Sequence, residues 1–174
     1  TSKKLIIRLI SGIFVLVNFL YFTNLIPPIP LSLKDAGMYH TVRKTTEGYV
    51  VTYEDNGWWQ TYFKLYPEFK ETAGMPVYAF SAVFSPTNLN LNIIHEWQHY
   101  DEQSRKWTTE SKIKLPIVGG REGGFRTYSR RTNLKPGKWR VNIETEQNQA
   151  IGRMRFSIVP VDTVPTLSTM IKLK

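Results

Sequence analysis

Three observations place this sequence among mainly β proteins that carry a membrane anchor. Residues 9–27 form one apolar run without a charge. The rest of the chain breaks into short alternating segments separated by turn-forming residues. Aromatic residues make up 13% of the 174, which suits pleated, half-buried strands. The expected architecture is an immunoglobulin-like antiparallel β-sandwich, preceded by an aromatic β-hairpin and one N-terminal transmembrane helix. The expected division is 1–30 for the helix and its flanks and 31–74 for a connector and the hairpin. Residues 75–160 then form the sandwich and 161–174 a C-terminal tail.

The run LISGIFVLVNFLYFTNLIP is long enough for one bilayer crossing at ~1.5 Å per residue. Asn18 and Asn24 are mild interruptions, and Tyr21 and Phe22 suit the membrane interface. The prolines of PPIP end the helix. A signal peptide is the rival reading, but no small-x-small cleavage site follows the run. Lys3, Lys4 and Arg8 precede it with no acidic residue up to position 30. The positive-inside rule then puts the N-terminus in the cytoplasm and the rest outside. The expected location is a bacterial inner membrane with a periplasmic main domain.

After a short connector, YVVTYEDNGWWQTYF reads as a hairpin through a type I′ turn at Asn56-Gly57. One of its faces carries Tyr49, Val51, Tyr53, Trp58 and Tyr62. YPEFKETAGMP has turn composition and marks a boundary. Beyond it, VYAFSAVFS, LNIIHEWQHY, KWTTESKIKLPI, FRTYSRR, KWRVNIETE and IGRMRFSIV read as strands. SPTN, VGGREGG, LKPG and EQNQ read as their connections. In the last two strands Trp139, Val141 and Ile143, and Met154, Phe156 and Ile158, alternate with polar residues and should face the core. Closing the pair through Gln147-Asn148 sets Val141 opposite Met154 and Trp139 opposite Phe156. The tail VDTVPTLSTMIKLK has β-like composition without an evident partner.

Several chemistries fit poorly. The chain has no cysteine, which removes disulfides, thiolate catalysis and Cys-based zinc sites. No Ser-His-Asp pattern or dinucleotide fingerprint is visible. GGREGG lacks the lysine and helix of a phosphate loop. Asp101-Glu102 lie together in a polar turn. HEWQH, residues 95–99, has the letters of a zinc-protease motif, with His95 and His99 as ligands and Glu96 as base. That motif needs a helix, where residues i and i+4 share a face at ~6 Å. Here Leu91, Ile93, His95 and Trp97 alternate with Asn92, Ile94, Glu96 and Gln98, which is period two. On a strand the two histidines are about 13 Å apart, too far for one ion. His95 is expected to be a partly buried strand residue beside Trp97, with Glu96 and His99 on the surface. No metal or other cofactor is expected.

The order YAFSAVFSP, IIHEWQHYD, FRTYSRR, LKPGKWRVNIETEQNQAIGRMRFSIV resembles an uncharacterised bacterial family, domain-of-unknown-function family 2914. The marks are His95 and Trp97, Tyr128-Ser129, Gly137-x-Trp139-Arg140-Val141, and Gly152 with Phe156. The resemblance covers about residues 75–160. It implies an extracytoplasmic β-sandwich on a membrane stem and supplies no reaction.

The formal charge of +9 is concentrated at the ends of the chain; residues 121–160 hold nine Lys or Arg against three Glu. In the register above, Arg140 falls opposite Arg155, with Lys138 and Arg153 on the same outer face. Opposed like charges destabilise a strand pair, so an anion nearby is one resolution; Glu144 and solvent are the other. The expected function is a non-catalytic membrane-anchored interaction module, with a protein partner in a membrane complex. The alternative is a binder of anionic glycan or lipid through Arg140, Arg155, Lys138 and Arg153. The aromatics Tyr53, Trp58 and Tyr62 form a second candidate contact surface. A zinc metallopeptidase is the remaining reading. Nucleic acid is not an expected partner, because the basic face would have to lie in the cytoplasm.

Overall fold

The structure, a computed structural model, describes residues 2–23, 31–55 and 64–173, and their side chains except at residues 2, 86–91, 118–123 and 173. The chain divides into two compact units, Thr1–Pro30 and Leu31–Lys174. The first holds α1, Ser2–Phe22, of which Lys3–Phe22 is long and apolar enough to cross a membrane. Asn18 is accommodated because its amide donates to the Phe14 carbonyl one turn back, which spares an unsatisfied donor.

Among the described residues the second unit has nine strands: β1 (Ser32–Tyr39), β2 (Thr41–Lys44), β3 (Gly48–Glu54), β4 (Glu68–Thr72), β5 (Val77–Asp101), β6 (Lys106–Arg131), β7 (Gly137–Thr145), β8 (Ala150–Val161) and β9 (Leu167–Leu173). One sheet runs β1-β5-β7-β8-β4, with β6 also on β5; a second runs β2-β3-β9.

The sandwich is made by one ribbon folding on itself. Ser81 and His95 both belong to β5, and a straight strand would hold them ~46 Å apart. Their side chains instead meet at 2.8 Å. The bend falls where the β5–β6 register shifts, between Val83 and Ser85 and between Ser85 and Leu89. Bulges of this kind concentrate twist and let a ladder turn a corner without ending. The first half of β5 pairs with β1 and the end of β6; the second half pairs with β7 and the start of β6. Val77, Ala79 and Val83 from the first half pack against Ile93, Trp97, Trp139, Val141, Ile143 and Phe156. Trp97 meets Phe156 edge to face at 6.1 Å.

The other face of the first half of β5 is covered too. Phe80 and Ala82 form a second core with Tyr39, Val42 and Val51 beneath the β2-β3-β9 sheet. This explains why YAFSAVF is almost wholly apolar: a strand buried on both faces has no polar side. The unit is a sandwich with a third layer.

The expected inner faces and register of β7 and β8 hold. Val141 pairs with Met154, Trp139 with Phe156 and Arg140 with Arg155. Other expectations need correction. SPTN and VGGREGG are bends inside β5 and β6, not breaks between strands. YPEFKETAGMP contains β4, which pairs in parallel with β8. β3 spends its edges on β2 and β9, so over Tyr49–Thr52 both are taken. The Asn56-Gly57 turn and its return strand, with Trp58 and Tyr62, lie outside the described residues. The described part of residues 31–74 supplies β1 to β4, and the tail supplies β9, which pairs along the whole of β3.

Candidate functional site: the outer face of the large sheet

Alternation on β5, β7 and β8 sends one set of side chains into the core and the other to the outer face. At the centre of that face is Glu96. It is buried, and its Oε1 accepts from Thr109 while its Oε2 accepts from Asn142. Lys112 lies 3.2 Å away. Burial alone would raise its pKa; the hydrogen bonds from Asn142 and Thr109 and the charge of Lys112 hold it below the ordinary value. The expectation of a surface Glu96 is therefore corrected. Its neighbours on adjacent strands satisfy it, and those partners are 13 and 46 residues away.

Around Glu96 the polar groups form a lattice. Arg140 donates from Nε to Gln98 Oε1, and Arg153 donates from Nε to Asn142 Oδ1. Gln98 donates in turn to Thr109. Both guanidinium planes are thus set by amides on neighbouring strands. Among the described residues their Nη groups meet no hydrogen-bond acceptor. Burial, then the charge of Arg153, lowers the pKa of Arg140. Burial, and then the charge of Glu96, pushes the Glu144 carboxyl above its ordinary value. Arg153, Arg155 and Lys138 are exposed, and Arg140 is half-buried.

An aromatic cleft adjoins the arginines. The Arg140 guanidinium lies over Trp107 at 4.3 Å from the ring centroid. Tyr66 is nearly parallel to Trp107 at 6.4 Å, and Tyr100 is tilted against it at 5.2 Å. Lys138 lies over Tyr100 and is paired with Glu102 at 3.0 Å. Tyr66, Tyr100, Glu102, Trp107 and Lys138 line a cleft of about 290 Å³. None of these aromatics was expected at the site. A signal was available: closing EQSR as a turn pairs Asp101 with Lys106 and sets Tyr100 beside Trp107.

HEWQH lies on β5, as its period-two pattern indicates. His95 is fully buried. Its Nε2 meets Ser81 Oγ at 2.8 Å and its Nδ1 meets Ser129 Oγ at 2.9 Å. Trp97 Nε1 donates to the same Ser129 oxygen. The arrangement that uses every proton has Ser129 donating to Nδ1 and Nε2–H donating to Ser81. Burial lowers the His95 pKa to about 4. His99 is half-buried and donates to the Pro136 carbonyl at 3.1 Å. Among the described residues no three His, Cys, Asp or Glu side chains gather as a metal-holding group. Tyr53, on the second candidate surface, packs against the core beneath the three-stranded sheet.

Residues 90–158 match DUF2914. The description attached to DUF2914 is a protein of unknown function. The DUF2914 match spans the second half of β5 through most of β8, and so holds the arginine lattice, Trp107 and HEWQH. No curated protein matches the chain.

Three solved structures are similar to parts of this chain at low identity. A Pseudomonas fluorescens alkylpurine DNA glycosylase is 14% identical, with TM-score 0.33, over 51% of this chain and 27% of its own. A Listeria innocua β-glucosidase is 8% identical, with TM-score 0.43, over 79% of this chain and 17% of its own. An immunoglobulin-like protein of Pseudomonas aeruginosa is 6% identical, with TM-score 0.38, over 74% of this chain and 96% of its own. The chain thus spans a small part of the first two.

Proposed function

We propose that this chain is a non-catalytic, membrane-anchored binding module that recognises an anionic partner on the outer face of its large sheet. The observation that carries the reading is the pair of guanidinium groups, Arg140 and Arg153, fixed through Nε with their Nη groups unpartnered among the described residues. Placing like charges on adjacent strands destabilises the sheet unless something offsets them. An oxyanion between the arginines offsets them and uses donors already oriented for it. The titratable groups of HEWQH support the non-catalytic reading, since His95 is enclosed and Glu96 is saturated by hydrogen bonds. The apolar α1 and its basic N-terminal flank support an inner-membrane anchor with the β unit on the periplasmic side.

Charge reversal at the exposed arginines tests this. In mild nonionic detergent, the chain should be retained on a carboxylate- or phosphate-bearing matrix at low salt and released as salt rises. Arg153→Glu with Arg155→Glu should abolish retention while leaving the circular dichroism spectrum unchanged. Retention that survived both changes and high salt would refute the reading.

A further inference from the structure

The arginine lattice and the aromatic cleft adjoin, because Arg140 lies over Trp107, one wall of the cleft. Its Nε is tied to Gln98, and one face of its guanidinium is shielded by Trp107 at 4.3 Å. What remains open is the planar fork of the two Nη groups. A fork of this kind matches a carboxylate in two parallel hydrogen bonds, a geometry that a point charge such as lysine does not reproduce.

Beside the fork is a cleft walled by three aromatic rings, near the lower end of the ~300–1,000 Å³ typical of small-ligand sites. Its rim carries the exposed Lys138–Glu102 pair, a donor beside an acceptor. Aromatic walls favour an apolar, C–H-bearing ring face; a polar rim favours hydroxyls. A free phosphate would engage the arginines and leave the aromatic cleft empty. A membrane surface would need protruding aromatics, whereas Tyr66, Tyr100 and Trp107 are half-buried in a recess.

Resting on the anion-binding reading above, we infer that the partner is a carboxylated saccharide. Its ring sits in the Tyr100–Trp107 cleft, and its carboxylate bridges to the Arg140 fork, with Arg153 and Arg155 taking a neighbouring acidic unit.

The test uses the full chain in nonionic detergent, titrated with tri-galacturonate, its methyl ester, inorganic phosphate and glycerol phosphate, and read by tryptophan fluorescence and calorimetry. Tri-galacturonate should bind at least about tenfold more tightly than its methyl ester, which keeps the ring and loses only the charge. Arg140→Lys should weaken it by a similar factor, and Trp107→Ala should weaken it while leaving residual phosphate binding unchanged. Equal binding of acid and ester, or binding indifferent to Trp107→Ala in a folded variant, overturns the inference. Phosphate or glycerol phosphate binding as tightly as the saccharide, with loss on Arg153→Glu and Arg155→Glu, overturns the saccharide and leaves the anion reading standing. Failure of all the anions overturns both.

Discussion

His95 stays neutral inside the fold because no charge reaches it and both ring nitrogens are already engaged by hydroxyls. The unfolded chain returns it to an ordinary pKa of 6.5, against about 4 when folded. Between those values the unfolded state binds more protons, so stability must fall as pH drops from about 6.5 to about 4. Each pH step of one across that interval costs ~1.4 kcal/mol, so the whole loss is about 3 kcal/mol. Denaturant melts across that range should show the slope, and His95→Gln should remove it; an unchanged slope in the variant would assign the effect elsewhere. The strand setting of His95 was legible in the period-two run around it. Its complete burial was not, because Ser81 and Ser129 arrive from 14 and 34 residues away, and no local pattern announces a bend in β5. Glu96 shows the same limit. A glutamate on the outer face of a strand reads as solvated until Asn142 and Thr109 are known to lie beside it.

β7 and β8 were readable as a pair, register included, because each alternates cleanly and a short turn joins them. β1, β4 and β9 were not, because each finds its partner far along the chain and that partner leaves no periodic mark in the strand itself. The contact of β1 with β8 shows how tightly such long-range pairing is specified. Gly152 of β8 lies under Leu33 of β1, and a Cβ there would sit 3.2 Å from Leu33 Cβ and overlap its Cδ2. Gly152→Ala should therefore destabilise the unit by about 1–2 kcal/mol through overpacking. Adding Leu33→Ala should make the pair non-additive, because the shortened side chain vacates the space the new methyl needs. Thermal melts of the two single variants and the double variant measure this; strict additivity would mean the strands do not press on one another here. Gly137 has a different reason to be glycine. It opens β7 at φ +114°, in the region that side chains avoid.

For the molecule as a whole, the compact unit Leu31–Lys174 is larger than the 90–158 stretch that matches DUF2914. Residues 75–160 contain the ribbon but omit Leu33, Ala36 and Met38 of β1 and Phe69 of β4, all packed against the main core. They also omit Glu71, which accepts from the buried Leu134 amide. Residues 31–174 expressed without the helix should give dispersed, protected amide resonances, and residues 75–160 should not. A well-dispersed spectrum from the shorter piece would show that β1, β4 and β9 decorate the fold and do not complete it. The pairing of β9 with β3 also bears on biosynthesis. At ~5–20 residues per second, β9 leaves the ribosome roughly 6–25 seconds after the strand whose edge it fills. Through that interval the edge of β3 that β9 will pair presents a row of open amides to whatever strand is near, and such an edge recruits neighbours. Until β9 has been made, that edge has to be kept from pairing with another strand.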